Sequence, residues 1–324
     1  MGNQKSTQDA AVAAVSDQQE MGIKRLCVGF DKETVAAGDK VTGQLTLVGS
    51  ERAFKRITQI KLNCNGSTQV AFTCNTGKTC SKNRVVLKLE QIAYDNQSAK
   101  DDRDPKRKFS SQVSSDSESR TIPFSFDLPE SLPGSFNGHF GRTEYAVSAT
   151  VKEIGRLVSQ KSKVQFFVLE NILGPSFSLK PMDVDVQKRI KKGCVHLSGK
   201  FEKALYTSGE FIYFDGTLKN STSIDIRTKC ELVQRITYNV NNTVHASTRV
   251  ISKSDEFARV ARFGDSTTLT GSLSIPLDLP STVTRSLYVE VAYFALFTLL
   301  PNLSTAPSKK IRIPILIKRD EVMN

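Results

Sequence analysis

Apolar and polar residues alternate along most of this chain, from Ile23 onward. Val, Thr, Ile and Phe recur at every second position in short runs, which Gly, Pro, Asn or Asp interrupts; residues 85–89 and 309–315 are examples. A period of two places successive side chains on opposite faces of a strand, and many short strands separated by turns are typical of a β-sandwich. No long helical period is visible in the body of the chain, so the sequence predicts an all-β fold.

The longest apolar run, residues 291–300, tests whether the chain contains a membrane span. A spanning helix needs about 20 apolar residues, and this run is far shorter. We therefore predict that it forms a strand buried on both faces. The apolar stretch near the N-terminus, residues 10–15, is too short for a secretory signal and has no basic flank.

Sequence motifs recur in the same order in the two halves of the chain. In each half a Gly-acid turn leads into an alternating run, an Ile-Pro motif follows, and a further alternating stretch comes after it. The matched segments are 38–45 with 209–218, 122–129 with 275–280, and 144–151 with 287–293. Two copies of one fold explain an ordered recurrence better than coincidence does. The length of 324 residues is also that of two domains.

The recurrence predicts how the chain is divided. We expect a flexible leader at residues 1–22, a first β-sandwich at 23–172, a hinge at 173–187, a second β-sandwich at 188–319 and a short tail at 320–324. Gly and Pro mark the hinge. Residues 95–120 are rich in Ser and in charges of both signs, which predicts a mobile loop between two strands and leaves open whether it is phosphorylated.

These motifs resemble those of the arrestin family, closest to its alpha-arrestin, or arrestin-domain-containing, branch. The resemblance covers residues 23–318 and is carried by the segments 37–45, 122–136, 145–147, 206–222 and 275–288. It implies two tandem antiparallel β-sandwiches joined by a short hinge. Alpha-arrestins usually carry Pro-Pro-x-Tyr motifs in a C-terminal tail; this sequence has none, and its last predicted strand ends near residue 318. Recruitment of a ubiquitin ligase through such a tail is therefore not implied.

The resemblance also implies a function. Arrestin-like proteins are adaptors on the cytoplasmic side of membranes, and they link integral membrane proteins to trafficking or ubiquitination machinery. We expect a cytoplasmic protein at the inner face of the plasma membrane or of endosomes, with ubiquitin ligases or coat proteins as further candidate partners. The alternative is a retromer-like coat subunit of arrestin fold in endosomal sorting. Such a subunit would need no lipid anchor.

The N-terminal residues favour the adaptor over the coat subunit. The segment Met1-Gly2-Asn3-Gln4-Lys5-Ser6 fits the N-myristoylation pattern, with Gly2 as the acceptor. One acyl chain binds membranes only marginally, so a second signal is needed. The basic cluster of Lys188, Arg189, Lys191 and Lys192 is the candidate, because each cation near an anionic surface contributes about 1 kcal/mol.

A second basic pair, Lys24 and Arg25, is the predicted contact for an acidic or phosphorylated partner segment. The net charge of +12 favours such partners in general. Nucleic acid is a weaker candidate, because the chain has no Trp and its aromatic residues occupy strand positions away from the basic clusters.

The remaining reactive residues do not form a catalytic or metal-binding motif. His139, His196 and His245 are far apart in sequence, and no nucleophile elbow, zinc-protease motif or P-loop is present. The six cysteines lack zinc spacing and are expected to be reduced thiols. We therefore predict no enzyme activity, no cofactor and no metal.

Overall fold

The structure is a computed structural model that describes residues 22–74, 77–95, 110–114, 117–172, 180–190, 193–303 and 306–319. These residues are almost entirely β-strand. A five-residue helix, α1, spans Glu51–Lys55, and one turn of 3-10 helix spans Asp255–Phe257. No helix in the described part of the chain is long and apolar enough to cross a membrane.

The strands of the first half form two sheets. One has the order β1-β3-β7-β6, and the other has the order β2-β10-β9-β4-β5, with β8 also paired to β9. The strands are β1 (Arg25–Phe30), β2 (Thr34–Ala36), β3 (Lys40–Gly49), β4 (Ile57–Thr73), β5 (Thr79–Asp95), β6 (Ser110–Ser114), β7 (Ser117–Asp127), β8 (Phe136–Gly138), β9 (Gly141–Glu153) and β10 (Gln160–Leu169).

The strands of the second half repeat this plan. Their sheets have the orders β11-β12-β14-β18 and β13-β20-β19-β15-β16, with β17 also paired to β15. The strands are β11 (Met182–Ile190), β12 (Gly193–Phe201), β13 (Leu205–Thr207), β14 (Phe211–Ser221), β15 (Ile226–Val240), β16 (Thr243–Ser254), β17 (Val260–Ala261), β18 (Ser266–Ser274), β19 (Val289–Pro301) and β20 (Lys309–Lys318).

The recurrence predicted from sequence is confirmed in the backbone. Gly38 connects β2 to β3, and Gly209 connects β13 to β14. Their φ angles are 97° and 91°, a left-handed conformation that a residue with a Cβ rarely adopts. In both turns the next residue, Asp39 or Glu210, donates its N–H to a carbonyl three residues earlier, at 3.1 Å. The two turns are copies of one local structure.

Alternation along the strands builds the two hydrophobic cores. In β3 the inward residues Val41, Leu45 and Leu47 are fully buried, as are Ile212 and Leu218 in β14. Burying an aliphatic or aromatic side chain contributes about 1.5–3 kcal/mol, so each layer of such residues holds two sheets together. The run at 291–300 is confirmed as a strand, and within β19 every residue of 295–299 is buried.

Three expectations need correction. The predicted loop at 95–120 contains strand, because β6 pairs with β7, and β7 continues the ladder of β3. Backbone hydrogen bonds to β3 order this polar sequence without an apolar contribution of its own. At least one pairing is parallel, that of the three-residue edge strand β13 with β20. β13 lies between β12 and β14 in the chain, but it pairs in the other sheet of the second half.

The third correction concerns cysteine. Cys74 and Cys80 form a disulfide, while Cys27, Cys64, Cys194 and Cys230 are free thiols. The cause is the β4–β5 hairpin: β4 ends at Thr73 and β5 begins at Thr79, so the two strand ends bring the Cα atoms to 6.4 Å. That distance lies within the range for a disulfide.

The chain forms two compact units. Unit 1 comprises Met1–Ser67, Arg84–Glu130 and Glu144–Phe167; unit 2 comprises Thr68–Asn83, Ser131–Thr143 and Val168–Asn324. The domain borders expected from the sequence remain predictions. The described residues leave out residues 1–21 of the leader, 173–179 of the hinge and the tail, while residues 182–187 of the expected hinge belong to β11.

Candidate binding surface

Lys24 and Arg25 lie at the start of β1 in unit 1, and both side chains are exposed. The Lys24 backbone N–H donates to the Val48 carbonyl at 2.7 Å, which continues the β1–β3 ladder by one residue. The Arg25 guanidinium donates from Nε to the Cys27 sulfur at 3.1 Å. The structure therefore presents this pair to solvent, as an acidic partner would require.

Lys188 and Arg189 end the edge strand β11 of unit 2. They lie opposite Val195 and Cys194 of β12, so they are consecutive positions of one regular ladder. Successive side chains of a strand point to opposite faces, and Lys188 is half-buried where Arg189 is exposed. The pair therefore does not form a single patch. Lys191, Lys192 and Gly2 lie outside the described residues.

Unit 2 carries a group of cations that were not predicted from the sequence as site residues. They lie on the outer surface of the sheet formed by β15, β16, β19 and β20, which we call the basic face. Its cations are Lys229, Arg235, Lys253, Lys310 and Arg312. Strand pairing brings them together from three strands that are distant in sequence.

One row across the basic face joins two lysines through a threonine. Thr298 lies opposite Lys229 of β15 and opposite Lys310 of β20. Thr298 is only 4% exposed, and its Oγ1 has no hydrogen-bond partner.

The next row holds a carboxylate that forms ion pairs with two of these cations. Glu231 lies opposite Leu296 and Lys253, and its side chain is largely buried. Its carboxylate oxygens lie 3.2 Å from the Lys229 Nζ and 3.6 Å from the Lys253 Nζ. Because one carboxylate neutralises one charge, the face keeps a net positive charge.

A cavity of about 250 Å³ opens on the basic face. Val233, Phe294 and Leu296 form its apolar floor, while Arg235 and Arg312 belong to its charged rim. Charge in a concave, partly apolar site is screened less than charge on an open surface. The geometry therefore suits a ligand that is anionic and carries some apolar surface.

A buried hydrogen-bond chain supports the strands behind this face. Arg249 of β16 donates to Gln234 at 2.6 Å, Gln234 donates to the Tyr293 hydroxyl at 2.7 Å, and Tyr293 donates to the Pro280 carbonyl at 2.6 Å. Burial raises the pKa of Tyr293, so the phenol keeps its proton. The chain thereby ties β16, β15 and β19 to the loop that precedes β19.

The arrangement can bind but offers little for chemistry. Burial raises the pKa of Cys64 to about 12 and also raises the pKa of Cys230, so neither thiol ionises near neutral pH. In the described ranges no three His, Cys, Asp or Glu side chains are grouped so that they could hold a metal ion.

The sequence did contain a weak signal for the basic face. In β15 and in β20 the cations lie an even number of positions apart, so they share one face of each strand. Lys229 and Arg235 are one example, and Lys310 and Arg312 are the other. Alternating charge on a strand usually marks a solvated face. Only the pairing of β15 with β19, and of β19 with β20, shows that these cations surround an apolar floor.

Comparison with known proteins gives a consistent result. The family model described as "Arrestin (or S-antigen), N-terminal domain" matches residues 26–173, and the model described as "Arrestin (or S-antigen), C-terminal domain" matches residues 191–319. Together the two matches cover most of the chain and follow one another in the order of the repeat.

Two curated relatives agree with these matches. "Arrestin domain-containing protein 17" of Caenorhabditis elegans is 26% identical over 68% of this chain, and "Arrestin domain-containing protein 5" of Homo sapiens is 25% identical over 87% of it. The chain spans 54% of the length of the first relative and 83% of the second.

Proposed function

Because the chain belongs to the arrestin family, whose members are generally non-enzymatic adaptors, we propose that it links membrane-protein cargo to trafficking or ubiquitination machinery. The observation that carries this proposal is the ordered match to both arrestin domains over residues 26–173 and 191–319. The names of the relatives, both arrestin-domain-containing proteins, support it.

The basic face is the proposed partner-binding surface of unit 2. Its cations Arg235 and Arg312 line an apolar cavity, and the carboxylate of Glu231 on the same face is already paired with two lysines. The excess charge of the chain, +12, acts in the same direction. An acidic partner segment would be attracted over the Debye length, about 10 Å at 0.1 M salt, and would then exclude water from the rim.

Membrane attachment is a separate part of the proposal. Gly2 is the proposed myristoylation site, and the inner face of the plasma membrane or of endosomes is the proposed location. Lys188 and Arg189 retain the charge needed for an electrostatic contribution, although they occupy opposite faces of β11. A single acyl chain with weak electrostatic support predicts reversible, salt-sensitive attachment.

Proximity labelling from the intact protein in its native cell tests the adaptor function. We expect labelled integral membrane proteins together with trafficking or ubiquitination components. The control is Gly2→Ala, which should lose the membrane-protein label while the protein remains folded. Labelling confined to nuclear or metabolic proteins would contradict the adaptor proposal. An unmodified or acetylated N-terminus in mass spectrometry would contradict the anchor alone.

The basic face is tested with the double variant Arg235→Glu and Arg312→Glu. Both residues lie on the rim of the cavity, and the exposed Lys219 of β14 provides a matched charge reversal on the other sheet. We expect the double variant to lose labelling of acidic partners, and Lys219→Glu to retain it. Equal loss in both proteins would indicate a general charge effect and would contradict a defined surface.

A further inference from the structure

The strand β16 is an edge of the six-stranded sheet in unit 2. It is 12 residues long and stands last in the strand order, next to β15. No other described strand pairs with it. In an antiparallel pair, alternate residues of an edge strand direct their N–H and C=O groups away from the neighbour, so β16 presents a row of backbone groups without strand partners.

Most of β16 runs in unbroken register with β15. Pairing extends from Thr243 opposite Val240 to Val250 opposite Val233. The turn that sets this register contains Asn241 and Asn242, whose positive φ angles of 50° and 65° match a tight hairpin. The segment Thr243–Val250 is therefore a straight, regular edge.

We call Thr243–Val250 the open segment. The part of β16 that follows it differs. The register shifts between Leu232 and Val233 of β15, which leaves Ile251 as an extra residue, and the Ser252 hydroxyl donates to the Ser274 carbonyl of β18 at 2.7 Å. Bulges and lysines are devices that prevent edge pairing, and here the bulge and Lys253 both lie beyond Val250. Thr243–Val250 itself contains no bulge, lysine or proline; its one charged side chain, Arg249, is held by a hydrogen bond to Gln234.

The side chains of the open segment also suit strand addition. Val244 is 57% exposed and Val250 is 45% exposed. Between them lie Ala246, Ser247, Thr248, Arg249 and His245, whose ring packs on Phe140 with centroids 4.5 Å apart. β-Branched residues stabilise a neighbouring strand through cross-strand contacts. The segment contains no proline and no carboxylate.

The charges around this edge select the partner. Arg235 lies on the neighbouring strand opposite Thr248, and Arg312 lines the same cavity as Thr248. Arg249 lies opposite Gln234 on the other face of the sheet and donates to it. Glu231 is already paired with Lys229 and Lys253. Another carboxylate of the same outer face, Glu290, lies opposite Thr237 of β15. The surroundings of Thr248 and Val250 are therefore positive, and they favour an acidic strand.

We propose that an extended acidic segment of a partner protein adds to this sheet as a strand alongside Thr243–Val250. The inference rests on the proposed function, because it names how the basic face receives its partner. Backbone pairing supplies affinity and the arginines supply selectivity. A peptide is favoured over a lipid headgroup, since only a peptide can satisfy a regular row of backbone groups.

The test uses the full chain and a fluorescent eight-residue probe of alternating glutamate and valine, capped at both ends. Two further probes carry N-methyl groups on the glutamates or on the valines. In an added strand only every second N–H faces β16. We expect one methylated probe to bind at least about tenfold more weakly than the other, measured by fluorescence anisotropy. Equal affinities of the two methylated probes would overturn the proposal.

Charge variants distinguish this inference from the function on which it rests. Arg235→Glu with Arg312→Glu should weaken probe binding, whereas Lys219→Glu should not. If the charge variants weaken binding but the methylated probes do not differ, strand addition fails and the basic face remains the partner site. If the charge variants have no effect, the basic-face proposal fails as well.

Two other occupants would give different results. Binding to anionic vesicles that Arg235→Glu with Arg312→Glu abolishes, by a chain that does not bind the probe, would assign the face to lipid and overturn the peptide proposal. A concentration-dependent dimer that the probe dissociates would assign the edge to a second copy of the chain, which also overturns it. A monomeric chain that does not bind anionic vesicles through this face and that distinguishes the two methylated probes would support the peptide proposal.

Discussion

The six-stranded sheets of the two repeats have the same strand order but different outer faces. In the first sheet Lys161 and Lys163 of β10 lie opposite Thr150 and Ser148 of β9. In the second sheet Lys310 and Arg312 of β20 lie opposite Thr298 and Leu296 of β19, and Phe294 follows. Each last strand therefore carries two cations on its outer face. Only the second sheet places large apolar residues beside them.

This difference shows where recognition arises in a duplicated fold. The inward positions of both sheets must be apolar, because they form the cores, and they leave little freedom. The outward positions are free to change. Ser148 in β9 leaves a solvated surface, while Leu296 and Phe294 in β19 build the floor of a cavity. Cations next to an apolar floor bind more selectively than the same cations in water.

The largest expected effect tests whether inward and outward positions of β19 differ. Phe297 is buried and packs on Phe214 and Phe257, with ring centroids 5.0 and 5.7 Å away. We expect Phe297→Ala to lower the free energy of unfolding by about 3–5 kcal/mol in urea titrations. Phe294→Ala should cost less than half of that. Equal losses would mean that Phe294 is a core residue and that the second sheet has no open floor.

The next effect tests the equivalence of the two repeats. Gly38 and Gly209 both have left-handed φ, so alanine at either position is strained by about 1–2 kcal/mol. At Gly209 an added Cβ would also meet the Leu277 side chain at 2.7 Å, whereas at Gly38 it would meet the Glu130 side chain at 3.0 Å.

We expect Gly38→Ala and Gly209→Ala to destabilise the chain by similar amounts in thermal unfolding, because the exposed tip of Leu277 can move away from an added Cβ. Gly264, with a φ of 80° and no atom near its Cβ position, serves as a control for backbone strain alone. A stabilising effect of alanine at Gly38 or Gly209 would show that the two turns are not copies of one structure.

A third measurement compares the two basic sites directly. Charge reversal at Lys24 and Arg25 tests the site in unit 1, and charge reversal at Arg235 and Arg312 tests the site in unit 2. We expect roughly a tenfold loss of affinity for an acidic peptide at low salt from the second pair, about 1.4 kcal/mol, and a smaller loss from the first. Isothermal titration at two salt concentrations would measure both. A larger loss from the first pair would reverse the ranking of the two units.

The smallest effect concerns pH and the turn of the second repeat. Burial alone would raise the pKa of Glu210, but hydrogen bonds from Lys203 and from the Thr207 N–H, together with the charges of Lys203 and Lys318, lower it below its ordinary 4.5. A lowered carboxyl pKa adds stability that is complete above the ordinary value and is lost as the pH falls through the folded value.

We therefore expect the thermal midpoint to decline less steeply in acid for Glu210→Gln than for the unchanged protein. Lys203→Met, which removes the cation 2.7 Å from the carboxylate, should act in the same way. The effect is small because both side chains are partly exposed to solvent. An unchanged acid slope in both variants would rule out this contribution.

Local patterns were sufficient for the fold. Alternation at 85–89 and 309–315 predicted strands because a period of two follows from strand geometry alone. The run at 291–300 was identified as a buried strand from its length. The polar segment at 110–120 was missed, because its order comes from backbone pairing of β6 with β7 and of β7 with β3, and such pairing leaves no apolar signal in the sequence.

The sequence by itself determined the duplicated all-β plan, the two glycine turns and the family. The tertiary structure alone decided the basic face, since Lys229, Lys253 and Lys310 become neighbours only through the pairing of β15 with β16 and β19, and of β19 with β20. It also decided the disulfide of Cys74 with Cys80 at the end of a hairpin. The reason is physical: strand periodicity is a property of neighbouring residues, whereas cross-strand contacts join residues that the sequence separates.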